Sequence, residues 1–137
     1  MSEARIWADV VLNAMEQIRS GVDPRESYQN AARLLGLSES MQLKPCPKAA
    51  FLGLCEDGYV NGVAKGVYTR STKSKSYAVD AVKLLISNPV LGRLNSDHLW
   101  SEMAKVNLYE SKNPRQHGSQ GEMIVVRTLW ENGFINK

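Results

Sequence analysis

An all-α chain, built from two tandem three-helix units that share one core, is what this sequence predicts, and three observations predict it. First, Leu54-Cys55-Glu56-Asp57-Gly58-Tyr59-Val60-Asn61 returns as Leu129-Trp130-Glu131-Asn132-Gly133-Phe134-Ile135-Asn136, with Leu, Glu, Gly and Asn identical and three further positions conservative. Weaker echoes keep the same order: Asp9 and Val11 with Asp80 and Val82, then Tyr28, Ala32 and Arg33 with Trp100, Ala104 and Lys105. Second, apolar residues recur at helical spacing in segments that end at Gly or Asn-Pro. Third, 137 residues with 43% apolar content suit one shared core, whereas two half-length domains would each be marginal. The chain therefore reads as a single domain, 1–137, with repeat units of about 3–62 and 74–137.

The first helix spans about Glu3 to Arg19, with Trp7, Val11, Ala14 and Ile18 as its apolar stripe, and Gly21 ends it. Asp23-Pro24 opens the second, Tyr28, Ala31, Ala32 and Leu35 face inward, and Gly36 stops it. The third opens at Cys46-Pro47 and buries Ala50, Phe51 and Leu54 before Asp57-Gly58. Short β-prone runs at Tyr59–Val63 and Val67–Thr69 leave room for a β-hairpin or wing after this helix, and the matching tail leaves room for one after the sixth. The second unit repeats the order. Tyr77 to Ile86 is its first helix, and Ser96 caps the next, through Leu99, Trp100, Met103 and Val106. Ser119-Gln120-Gly121-Glu122 reads as a capping box opening the last, with Val126, Leu129 and Trp130 inward. Trp7, Trp100 and Trp130 all fall on apolar stripes and read as core.

The net charge of +3 is too small to diagnose a polyanion partner, but its distribution is uneven. Lys65, Arg70, Lys73 and Lys75 fall in a stretch without acids, with Tyr68 among them. Such a segment is either a solvated loop or a nucleic-acid contact in which the cations meet phosphates and Tyr68 stacks on a base, with Arg127 and Lys137 extending it. Cys46 would sit at a helix N-terminus beside Lys44 and Lys48, where the helix dipole favours a thiolate, which makes it a weak candidate nucleophile or redox sensor. His117, Ser119 and Gln120 lie where free amides at a helix start can meet an anion. Two Cys and two His at non-ligand spacings predict no metal site, and nothing predicts a cofactor. Cys46 and Cys55, on one helix, are too far apart for a disulfide. The absence of an apolar run of membrane length and of a leader-like segment predicts a soluble, cytoplasmic protein.

Two resemblances follow from these motifs. The spacing of Phe51, Leu54, Gly58, Tyr59 and Val60, repeated by Val126, Leu129, Gly133, Phe134 and Ile135, looks like the end of a winged-helix recognition helix running into its wing, a helix-turn-helix-like feature. More broadly, Cys46 to Gly58, Tyr68-Thr69-Arg70-Ser71, Tyr77-Ala78, His117 to Gln120 and Leu129 to Gly133 resemble a family of small uncharacterised bacterial proteins found among mobile-element cargo such as integron gene cassettes. The second-unit motif of that family is His-Asn-Ser-Gln, where this chain has His117-Gly118-Ser119-Gln120. The resemblance implies fold boundaries and no activity. Together these readings favour a non-enzymatic helical module that contacts nucleic acid through the basic segment. The alternatives are a protein-interaction or homodimerisation module and a thiol-dependent enzyme or sensor at Cys46.

Overall fold

The computed structural model describes residues 3–107 and 119–137, with side chains from 5 to 107 and from 121 onward. The described chain is helical: α1 (Glu3–Arg19), α2 (Pro24–Leu34), a single turn α3 (Glu39–Gln42), α4 (Pro45–Glu56), α5 (Lys73–Ser87), a 3-10 turn (Pro89–Arg93), α6 (Ser96–Asn107) and α7 (Ser119–Glu131). The fold is all-α, as the periodicity predicts.

The helix ends follow local chemistry. Asp23 caps α2 by accepting from the amides of Arg25 (2.9 Å) and Glu26 (3.4 Å). Gly36, at φ 75°, lets the chain reverse so that the Leu37 amide reaches the Ala32 carbonyl. Asn95, and not Ser96, caps α6, its side chain accepting from the His98 amide at 2.9 Å. α5 starts at Lys73, ahead of the predicted Tyr77, so Lys73 and Lys75 belong to its first turn.

One core fills the molecule. Trp7, Val10, Val11, Ala14 and Met15 of α1, Phe51, Leu52 and Leu54 of α4, Val82 and Leu85 of α5, Trp100 and Met103 of α6, and Met123 to Val126 with Leu129 of α7 all belong to one buried cluster. Leu35 and Val106, predicted inward, are exposed, because each lies at a helix end beyond its last packed turn. Trp7 and Trp100 are fully buried, while Trp130 is half-buried, packing against the core from its edge with Lys137 Nζ 4.8 Å over its ring.

The repeated motifs meet. α4 and α7 lie side by side with their starts together, where a Cβ on Gly121 would stand 3.0 Å from Pro47 Cδ, and with their tails together, where Val60 and Ile135 form an antiparallel bridge. The tail contacts are reciprocal. The Asn61 amide donates to the Phe134 carbonyl and the Asn136 amide to the Tyr59 carbonyl, each at 2.8 Å. Asn61 Nδ2 donates to the Gly133 carbonyl (2.8 Å), and Asn136 Nδ2 to the Gly58 carbonyl (2.9 Å). Gly58 and Gly133 both turn through the left-handed region, at φ 81° and 73°. The β-prone tails thus pair with each other. No hairpin or wing forms among the described residues, because the Asn side chains and amides of each tail are used by the other tail.

Packing outside the motifs is partly reciprocal. α1 packs on α7, and α5 packs on α4. α5 also packs on α7, whereas α1 makes no comparable contact with α4.

Candidate functional site

Two places bring chemistry-bearing side chains together, on opposite sides of the first turn of α4. The first is a cleft of about 380 Å³ between α2, α4 and the segment 68–71. Its floor is Pro45, Ala49 and Leu52, and its walls carry Arg25, Lys48 and Arg70 with the hydroxyls of Thr69 and Ser71. No acid lines it. Arg25 is in loose contact with Asp23 at 3.6 Å, while Lys48 and Arg70 have no ion-pair partner among the described residues.

Glu56, at the last turn of α4, fixes the 68–71 wall. One carboxylate oxygen accepts from the amides of Tyr68 (2.8 Å) and Thr69 (3.2 Å). The other takes Lys75 Nζ at 2.6 Å, and the same ammonium reaches Asp57 Oδ1 at 2.8 Å. The Lys75 hydrogen bond holds the Glu56 carboxyl below its ordinary range, and the two carboxylates hold Lys75 above its own.

The predicted basic segment therefore divides. Arg70 lines the cleft, and Lys73 is exposed at the start of α5. Lys65 is exposed and lays its stem over Gly58, whose Cβ would come within 2.9 Å of Lys65 Cε. Lys75 is consumed by Glu56 and Asp57 and is a structural cation. Tyr68 is half-buried against the core, its hydroxyl donating to the Ala64 carbonyl at 2.7 Å, so its ring borders the cleft as a wall. Arg127 pairs with Glu131 along α7, and Lys137 sits on Trp130, so neither extends the patch. Arg25 and Lys48 were not predicted, since they come from separate helices and no spacing in the sequence joins them.

The second place is the meeting point of the starts of α4, α5 and α7. Cys46 is half-buried in the first turn of α4, Ser74 is buried in that of α5, and Glu122 of α7 is fully buried. Neither Glu122 carboxylate oxygen completes a hydrogen bond, and the Ser119 side chain of the predicted capping box lies outside the described residues. Glu122 instead points inward, because it continues the stripe of Val126 and Leu129 one turn back, and that spacing was the available signal. Burial pushes its pKa up to about 8, against the Ser74 hydroxyl and Lys73, which favour the charged form. Burial and the Glu122 carboxyl likewise push the Cys46 thiol up, and Ser74, Lys44 and Lys73 do not offset them. The direction is opposite to the one read from the helix start and its lysines. Cys46 and Cys55 are both free.

His117 lies outside the described residues, as do the side chains of Ser119 and Gln120, the other anion-binding candidates. Among the described residues no cluster of three or more His, Cys, Asp or Glu could hold a metal, and no helix is long and apolar enough to cross a membrane.

Residues 4–136 match a family of unknown function (DUF6979), and the chain belongs to it. No curated protein and no solved structure matches the chain.

Proposed function

We propose that this protein is a non-enzymatic helical module that binds nucleic acid, with Arg25, Lys48 and Arg70 holding backbone phosphates in the α2–α4 cleft and Lys73 at the start of α5 adding a peripheral contact. The observation that carries the reading is the cleft itself: three cations, two of them without a counterion among the described residues, converge where no acid is present. Its hydroxyls and apolar floor suit a sugar-phosphate backbone, and the half-buried Tyr68 makes base stacking a minor part. The contacts go to phosphate, so the module discriminates little between sequences.

Fluorescence anisotropy with labelled duplex, single-stranded DNA and RNA tests this at about 0.15 M salt, where the Debye length is about 8 Å and casual adhesion of a basic loop is screened. Three phosphate contacts give a log–log salt slope of about −2.7 on duplex and about −2.1 on a single strand. Lys48→Glu with Arg70→Glu should abolish binding, and Glu16→Gln should leave it unchanged. Absence of binding to all three probes refutes the reading.

Exposed Leu34, Leu35 and Leu43 between α2 and α4 favour the second reading, a protein-interaction or homodimer surface. Light scattering after Leu34→Ser with Leu43→Ser tests it: a dimer that dissociates supports the homodimer. The cytoplasmic setting and the bacterial mobile-element association belong to this proposal, and genome neighbourhood checks the latter.

A further inference from the structure

The cleft between α2, α4 and the segment 68–71 is a small concave site and not a track. Its volume of about 380 Å³ is at the low end of the range, about 300–1,000 Å³, of sites that enclose a small molecule. A single strand held along its length lies in a groove whose cations continue from one nucleotide to the next. Here neighbouring cations are engaged elsewhere. Lys44 leans over the Trp7 ring at 5.8 Å, Lys75 is held by Glu56 and Asp57, and Arg127 by Glu131.

The two charged walls of the cleft also differ. On the α2 wall, two exposed carboxylates adjoin Arg25: Asp23 stands 3.6 Å from its guanidinium, and Glu26 is the next residue. On the other wall, Arg70 and Ser71 lead to the exposed Lys73 with no acid between them. A polyanion is therefore drawn in on the Lys73 side and repelled on the α2 side. The hydroxyls between are suited to phosphate oxygens. Thr69 Oγ1 accepts from the Ser71 amide at 3.2 Å, and its hydrogen remains to be donated.

We propose, resting on the nucleic-acid reading of the cleft, that it is an end-binding site: it takes the terminal phosphate of a single strand with the first linkage beside it, and the strand leaves past Lys73. A phosphate monoester carries about −1.5 to −2 at neutral pH and three strong acceptor oxygens, more than the single charge of an internal linkage. Together with that linkage it matches the three cations Arg25, Lys48 and Arg70. The Arg70 guanidinium offers it paired donors, the Thr69 and Ser71 hydroxyls take further oxygens, and the sugar lies on Pro45, Ala49 and Leu52. Asp23 and Glu26 stand where the middle of a strand would have to continue, so the site selects an end.

The test is fluorescence anisotropy on the full chain at about 0.15 M salt, where distant charges are screened. The probe is a short single strand labelled at one end and carrying phosphate or hydroxyl at the other, made in both 5′ and 3′ forms. A circular single strand and a nucleoside monophosphate serve as competitors. Phosphate at one of the ends should tighten binding about tenfold over hydroxyl, the effect of a charge-assisted hydrogen bond, and the end that gains assigns the polarity of the bound strand. Both competitors should be weak. Glu26→Lys should tighten hydroxyl-ended and circular strands and shrink the preference, and Arg70→Gln should abolish the preference without changing the melting temperature. Equal affinity for phosphate-ended, hydroxyl-ended and circular strands would refute end binding while leaving the nucleic-acid reading in place. A monophosphate that competes as well as the phosphate-ended strand refutes it too, since the ligand is then a free nucleotide. A preference unchanged in Arg70→Gln puts the terminal phosphate outside the cleft and overturns the inference equally. Failure of every strand to bind removes both readings.

Discussion

Glu56 and Glu131 occupy the same position in the repeated motif and do different work. Glu56 gathers the amides of Tyr68 and Thr69 and the Lys75 ammonium, and so holds the wall of the basic cleft. Glu131 pairs with Arg127 on its own helix, an exposed contact one turn away. The Gly and Asn of each copy, by contrast, serve one purpose, the reciprocal pairing of the tails. The comparison teaches that the motif's backbone chemistry builds the joint between the tails of α4 and α7, while its carboxylate is available for local use. In the first copy that use is to hold the returning segment 64–72 through the Tyr68 and Thr69 amides. The site is therefore on one side of a joint that is itself two-sided.

The largest effects should fall on the shared part. Leu54 and Leu129 are both fully buried. Leu54→Ala and Leu129→Ala should each cost about 2–5 kcal/mol in denaturant unfolding. A near-wild-type midpoint for one of them would break the equivalence of the two copies.

Next comes the contrast at the other end of the joint, where Glu122 faces the Cys46-Pro47 start of α4. Glu122 has a folded-state pKa of about 8, well above the ordinary value of 4.5. Below the unfolded value the carboxyl is neutral in both states and costs little. As pH rises, the unfolded chain ionises first and the folded state resists until its own pKa. Stability should therefore decline between about pH 4.5 and 8, by an amount on the order of a few kcal/mol, and level off above. Glu122→Gln should remove that slope and exceed wild-type stability at pH 9. Equal pH profiles for the two proteins would show that Glu122 is ionised and solvated.

The smaller effect is the sharper one for the site. Glu56→Gln should cost about 1–3 kcal/mol, since it weakens three hydrogen bonds of a nearly buried carboxylate. Glu131→Gln, which loses a surface pair, should cost less than about 0.5 kcal/mol. Glu56→Gln should also raise amide exchange at Tyr68 and Thr69 and weaken any ligand of the cleft. Equal costs for both substitutions would contradict the asymmetry.

How far the sequence foretells this molecule depends on the range of each signal. Helix spacing and end chemistry are local, so α1, α2, α4 and α7 could be read from stripes such as Trp7–Val11–Ala14 and from Asp23-Pro24. The repeat marked Gly58 with Asn61 and Gly133 with Asn136 as equivalent turns, but the β-prone tails read as local hairpins or wings, and their pairing with each other is a contact between distant segments that no local pattern announces. The fate of charges was not local. Lys73 and Lys75 are two residues apart, and one is exposed while the other is bound by Glu56 and Asp57 from another helix. Arg25, Lys48 and Arg70 share a cleft only because α2 and α4 and the 68–71 segment pack together. Glu122 read as a cap because Ser-x-x-Glu before an apolar run usually is one. Its place on the buried stripe, four residues before Val126, was the competing signal, and packing against α4 and α5 decided the outcome.

The most direct test of the central claim, that the cleft held by Glu56 is the binding surface, is amide chemical-shift mapping as an oligonucleotide is titrated into nitrogen-15-labelled protein at about 0.15 M salt. The account predicts saturable shifts centred on Arg25, Lys48 and Thr69 to Ser71, with small shifts at Lys75 and none at Arg127 or Glu131. Saturable shifts centred on α7, or none anywhere, would contradict it.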